Sequence, residues 1–314
     1  MNRIFFIFLI VFPLLALSQN TYVPDDNFEQ EFINIGCDFV LDDSVLTASI
    51  DTITFLVISN LNIYSLEGIE ALTSLKYFYC NDNQIDSLDI SNNTSLIKLI
   101  CPNNNLTALD VSANIALKEL SCDNNPLTII TLNDTSLLQL GFSNTYLTTI
   151  DLSNNINLEV AFINNSNLSS INLNGATNLR LLSIADNQLT SLDISTNINL
   201  EILNAVNNDL SYLDLRNGNI DDLHIIVMQN SDLHCISVDD TALANINWTV
   251  NNSIDSQHYF SLDCNATAVN ETSQQEKHLL KIVDILGREI KYQSNTPFIE
   301  IYDDGTVEKR IIIE

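Results

Sequence analysis

The feature that most constrains this chain is a repeat. Leu96, Leu99, Cys101, Asn104, Leu106, Leu109 and Val111 stand at offsets 0, 3, 5, 8, 10, 13 and 15. The same offsets return at Leu75, Phe78, Cys80, Asn83, Ile85, Leu88 and Ile90, and again at Leu117, Leu120, Cys122, Asn125, Leu127, Ile130 and Leu132. Further copies begin at Leu137, Leu158, Leu179 and Leu200, with a degenerate first copy at Ile53 and a last one at Leu223. Nine registers spaced by 20 to 23 residues describe a solenoid, in which each turn buries its apolar side only against its neighbours.

Within one turn, L-x-x-L-x-(L/C)-x-x-N sets alternate side chains on one face of a short strand and then turns the chain. Stacking buries about six side chains per turn, at about 1.5–3 kcal/mol for each large one. That gain offsets about 1–2 kcal/mol per residue of backbone ordering. The amide at offset 8 (Asn83, Asn104, Asn125, Asn187, Asn208) is predicted to satisfy backbone groups left open where the strand ends. In three copies the Asn stands at offset 7 instead, as Asn144, Asn165 and Asn230.

The unit LxxLxCxxNxLxxLDIS resembles the leucine-rich repeat family, in the 21-residue bacterial subclass sometimes called IRREKO, over about residues 53–240. The resemblance implies a repeat solenoid with a parallel β-sheet on its concave face, rich in β-structure and poor in helix. The second half of the unit, such as Ser87-Leu88-Asp89-Ile90, is expected to form another short strand. A right-handed parallel β-helix has turns of similar length, but the Asn position and the leading L-x-x-L favour the leucine-rich repeat.

The flanks read as separate parts. Met1-Asn2-Arg3, an uncharged apolar run from Ile4 to Leu17 and small residues at Ala16 and Ser18 describe a secretory signal peptide over 1–18. The run is too short to span a membrane, which takes about 20 apolar residues. Residues 19–52 are predicted to cap the array with an amphipathic helix: Asp25 or Asp26 at its N-terminus, Phe28 and Phe32 on one face, Gly36 at its end. Residues 241–264 form a C-terminal cap, 265–276 a polar linker and 277–314 a small β module. Charge marks that last boundary, since the tail holds six of the 12 basic residues. LLKIVDILGRE and IYDDGTVEKRIIIE resemble the C-terminal sorting domain of cargo for the bacterial type IX secretion system. That likeness implies a partner in the type IX machinery and a place at the cell surface, outside the outer membrane. The Pro-Asn-Pro start of many members is missing, so attachment does not follow.

The chain carries a net charge of −28, which excludes nucleic acid and anionic membranes as partners because both require clustered Lys and Arg. Catalytic signatures are missing: His224, His234, His258 and His278 share no motif, and there is no G-x-S-x-G, HExxH, phosphate loop or CxxC. Neither an enzyme, a metal nor a cofactor is expected. Cys80, Cys101 and Cys122 share offset 5 and read as a column of buried, inert thiols. Asp89, Asp110, Asp151, Asp193 and Asp214 share offset 14 and read as a solvated outer face, with calcium as the competing reading. Cys235 and Cys264 bracket the C-terminal cap and are expected to form a disulfide.

Binding remains. Offsets 2 and 4 alternate with buried positions and face outward on the sheet. They hold Phe55/Val57, Tyr77/Tyr79, Lys98/Ile100, Glu119/Ser121, Gln139/Gly141, Val160/Phe162, Leu181/Ser183, Ile202/Asn204 and Ile225/Val227. Exposed sheet is usually polar, and contiguous exposed apolar area marks interaction sites, whereas β-branched and aromatic residues also simply suit strands. The expected ligand face therefore holds Phe55, Tyr77, Tyr79, Lys98, Ile100, Val160, Phe162, Leu181, Ile202 and Ile225, as one continuous patch. The chain reads as a secreted or surface-displayed adhesin or recognition module for a protein. A carbohydrate-binding or enzyme-inhibiting protein using the same face is the alternative, because Tyr77 and Tyr79 suit sugar stacking.

Overall fold

The computed structural model describes residues 19–133, 136–250, 252–264, 279–283, 288–291, 298–302 and 307–310. The expected signal peptide and the linker lie outside the described residues. The chain divides into two compact units, Met1–Cys264 and Asn265–Glu314.

In the first unit, nine strands of three residues pair in parallel from Phe55–Val57 to His224–Ile226, each joined to the strand one turn on. The opposite half-turns make shorter parallel sheets. Ala108–Asp110 pairs with Ile129–Thr131, and Thr149–Asp151 pairs with Ser170–Asn172. Ser191–Asp193, Tyr212–Asp214, Cys235–Ser237 and Tyr259–Ser261 form a four-stranded sheet. Between the two rows of strands runs one core in which Phe78, Leu99, Leu182, Leu203, Cys80, Cys101 and Cys122 are fully buried. Burial pushes the Cys80 and Cys122 thiols well above their usual range, so they stay protonated. The architecture is a leucine-rich-repeat solenoid with strands on both sides and little helix.

The amide at offset 8 acts across turns. Asn104 Nδ2 donates to the carbonyls of Cys80 and Cys101, at 3.0 and 3.1 Å, and its Oδ1 accepts the Ile85 N–H. Asn83, Asn125, Asn187 and Asn208 repeat this pattern. Each therefore ties its own strand end to two places in the preceding turn and gives a buried N–H there its acceptor.

Offset 7 has a separate purpose. Asn60, Asp82, Asn103, Asn124, Asn144, Asn165, Asp186, Asn207 and Gln229 all have φ between 51° and 62°, the left-handed region that Asn and Asp tolerate best. Asn144 and Asn165 are thus not displaced ladder residues, as their sequence positions imply. They make the sharp turn, and Thr145 and Ser166 stand in the ladder. A second ladder lies ten residues on. Asn93, Asn114 and Asn197 each donate twice to carbonyls of earlier turns, and Asn133, Asn155 and Asn217 extend it. Nothing in the sequence reading anticipated this second column.

The last repeat is out of register with the sequence reading. His224 pairs with Ile202, so the copy starts at Asp222 and not at Leu223. A one-residue slip exchanges the two faces of a strand. Ile225 is 2% exposed and Val227 is buried, while His224 and Ile226 face outward. Asn230, Oδ1 of which accepts the Leu210 N–H, then occupies offset 8 and locks this register. Ile225 is therefore a core residue, and its assignment to the ligand face is corrected.

Both ends are closed. At the start, Asp25 caps the helix Asp26–Asn34 by accepting from Asn27 and Phe28, and Phe28 and Phe32 pack at 4.8 Å between ring centroids. Glu29, fully buried, accepts the backbone N–H groups of Asp42, Asp43 and Ser44. At the other end, the helix Thr241–Asn247 leads to Trp248, whose indole N–H donates to Leu223 O. Cys235 and Cys264 are disulfide-bonded.

In the second unit, Leu279–Val283, Phe298–Tyr302 and Val307–Arg310 form an antiparallel sheet in that order. Glu300 is buried and accepts from the Tyr302 hydroxyl. The expected turns at 284–287 and 303–306 lie outside the described residues.

Candidate binding face

The outward side chains of the nine-stranded sheet follow from strand alternation, since Leu56, Phe78, Leu99 and their equivalents fill the core. At the N-terminal end, Phe55, Tyr77 and Tyr79 form an aromatic cluster. The Phe55 ring lies 6.4 Å from Tyr77 and 5.7 Å from Tyr79, tilted to both. Phe55 is 59% exposed and Tyr77 38%, and Val57 extends the apolar surface beside them. Lys98 Nζ stands 6.0 Å over the Tyr79 ring and forms an ion pair with Glu119, which raises the lysine's affinity for its proton. Ile100 completes this group, half-buried.

The expected patch is not continuous. Glu119, Ser121, Gln139 and Gly141 interrupt it with polar groups and missing bulk. Beyond them lie a half-buried Val160, Phe162 at 44% exposed, a half-buried Leu181 and an exposed Ile202. Between Ile100 and Phe162 the sheet dips into a notch of about 400 Å³, with Ser121 and Gly141 at its floor. Asp123 and Ser143 border it, two positions beyond the outward row. Sequence reading took Gly141 as one more outward residue and passed over Asp123. Strand alternation predicts which side chains face out, but a depression depends on missing volume in neighbouring turns.

The aspartate column on the other side is a set of turn caps. Asp89, Asp110, Asp151, Asp193 and Asp214 each accept the N–H of the residue two positions on. The Ser91 N–H and hydroxyl hold the Asp89 carboxyl, and the Ser153 hydroxyl and N–H the Asp151 carboxyl, below the usual carboxylate range. Among the described residues, the acidic group close enough to share an ion is Asp26, Glu29 and Asp43, near the N-terminal cap. Glu29 already spends both oxygens on backbone N–H groups there. Of the histidines, His224 ends the exposed sheet, His234 and His258 face one another in the C-terminal segment, and His278 lies outside the described residues.

No protein-family profile matches the chain. Over 77 residues it is 36% identical to internalin J of Listeria monocytogenes, a match covering 24% of this chain and 8% of that protein. The chain therefore spans less than a tenth of that relative's length. Among solved structures it is similar to a functional domain of internalin J from the same organism, described as including a cysteine ladder. That match has 19% identity, covers 95% of this chain and 99% of the other, and has a TM-score of 0.35. It is also similar to internalin C2 of L. monocytogenes, with 21% identity, 73% and 94% coverage and a TM-score of 0.48.

Proposed function

We propose that this leucine-rich-repeat solenoid is a secreted or surface-displayed recognition module that holds a protein partner on its nine-stranded sheet. The observation that carries the reading is the outward cluster of Phe55, Tyr77 and Tyr79, with the second apolar group at Val160 and Phe162. Aromatic residues supply large contact area at small side-chain entropy cost and dominate interface energetics. The local likeness to internalin J agrees with this reading. We assign residues 1–18 as the export signal, 19–52 and 241–264 as caps and 277–314 as the type IX sorting module. No helix among the described residues is long and apolar enough to cross a membrane.

A photoreactive residue placed at Tyr77, and separately at Ile115 outside the nine-stranded sheet, tests the face. The reading requires a defined protein to crosslink saturably from position 77 and not from 115, with loss on Tyr79→Ser. Crosslinking confined to 115 overturns it. The side-by-side Tyr77 and Tyr79 also favour a second reading, in which the same face holds a carbohydrate. Saturable glycan-array binding without protein crosslinks decides for that reading. Export is tested apart from binding: deletion of 277–314 is expected to leave the repeats folded inside the periplasm.

A further inference from the structure

The notch between the two apolar groups has chemistry of its own. Along the outward row the side chains run Tyr79, Ile100, Ser121, Gly141, Phe162 on successive parallel strands. Ile100 and Phe162 are three strand spacings apart, about 14 Å. The small residues between them leave about 400 Å³ open, within the range of ligand pockets, about 300–1,000 Å³. Gly141 matters by what it lacks: a Cβ there would meet Asp123 Oδ2 at 3.2 Å. The Asp123 carboxylate thus leans over the space a side chain would fill.

That carboxylate is held in place and left uncompensated. Its Oδ1 accepts the Ser143 N–H at 2.7 Å, and its Oδ2 accepts the Ser121 hydroxyl at 2.7 Å. Each oxygen keeps acceptor capacity toward the notch. Glu119, on the other rim, is neutralised by Lys98, whereas Asp123 forms no ion pair among the described residues. The notch therefore offers apolar walls for an aliphatic stem, an exposed Phe162 ring for a planar cation and a fixed carboxylate for its head.

We propose that this notch takes one arginine side chain of the partner protein. The inference rests on the reading of this sheet as the binding face, and it names the chemistry of one contact there. Arginine fits better than lysine, because its planar fork meets both carboxylate oxygens and its face packs on an aromatic ring. The charge of −28 draws basic partners toward the molecule, and the notch selects among them.

The test is a titration of the full mature chain with the tripeptide acetyl-Gly-Arg-Gly-amide, followed by amide shifts at Gly141 and Ser143. The same tripeptide with citrulline, a neutral isostere, or with lysine is run beside it. Saturable shifts with arginine and at least about tenfold weaker binding of citrulline are expected, with lysine between them. Gly141→Leu fills the notch without changing net charge and is expected to abolish the shifts at Ser143, which separates the notch from general attraction of a cation to an acidic protein. Asp123→Asn is expected to weaken arginine about tenfold or more, and it carries the test if Gly141→Leu does not fold. Equal binding of arginine and citrulline, or arginine binding unchanged in Asp123→Asn, overturns the proposal. Tyr77→Ser/Tyr79→Ser is expected to retain tripeptide binding. A failed notch beside intact tyrosine-dependent crosslinking therefore rejects this contact alone.

Discussion

The turns starting at Leu75, Leu96 and Leu117 and those starting at Leu137 and Leu158 solve the same problem with different atoms. In the first group Asn83, Asn104 and Asn125 each reach two or more backbone carbonyls and accept at least one N–H from the turn before. In the second group Thr145 and Ser166 share one bond between their hydroxyls, at 3.0 Å, and Ser166 Oγ accepts the Thr145 N–H. A hydroxyl has one proton to give where an amide has two, so the middle of the array is tied together less densely. Phe142 stands in the offset held by cysteine three times before it, and the following strand places the small Ala161, paired with Leu140, where the other strands hold Leu, Phe or Ile. The solenoid thus tolerates a changed rung when core volume is redistributed. Gly141, on which the notch depends, belongs to the same irregular stretch.

The largest expected effect breaks a regular rung. Asn104→Ala removes donations to the Cys80, Cys101 and Pro102 carbonyls, each of which keeps a second donor, and leaves the buried Ile85 N–H without its acceptor. It should cost about 3 kcal/mol or more in urea unfolding. Phe78→Ala, beneath the aromatic cluster, should cost about 3–5 kcal/mol through its cavity, while Tyr77→Ser/Tyr79→Ser leaves the melting temperature nearly unchanged. Reduction or Cys235→Ser removes a crosslink spanning 29 residues, worth about 3–4 kcal/mol by loop closure. Because that bond lies outside both groups of turns, it should lower overall stability without altering the difference between them. Thr145→Ala should cost only about 1 kcal/mol. An equal loss for Asn104→Ala and Thr145→Ala would show that the amide ladder has no special weight.

The smallest expected effect concerns the last rung and acidity. His258 packs against Asn230, with Asp255 and His234 the charged groups facing it, and burial lowers its pKa below 6.5. Its Nδ1 accepts the Asp255 N–H, which requires the neutral ring. A histidine with a depressed folded pKa binds its proton more readily when unfolded. Its contribution is therefore complete above about pH 6.5 and is lost as pH falls through the folded value. Stability measured from pH 7 to pH 5 should decline less in His258→Gln than in the parent chain.

Much of this was legible in the letters, and the failures share a cause. Spacing placed the strands, the first ladder and the outward faces of eight repeats, because alternation and burial act on every turn alike. Asn144 and Asn165 misled because one residue type serves two needs. Its backbone tolerates the left-handed turn, and its amide bridges turns, one position apart. Leu223 misled because it is buried in its own right, so it imitated the leading residue of a copy. The notch was hidden for a different reason: it is made by small side chains on neighbouring strands and by a carboxylate from outside the pattern.

The ladder bonds all point backward along the chain. Asn104 reaches Cys80 and Ile85, and Asn208 reaches Ile184 and Leu189. Each turn therefore completes the one already made and waits for the next to complete its own. Assembly gains a direction from this, since in a chain emerging N-terminus first each new turn supplies the amide that the turn before it lacks. The last turn ends the array in another way: Asp255 Oδ2 accepts the N–H of Gln229, which in earlier turns goes to a backbone carbonyl of the following turn, and also the N–H of Asn230.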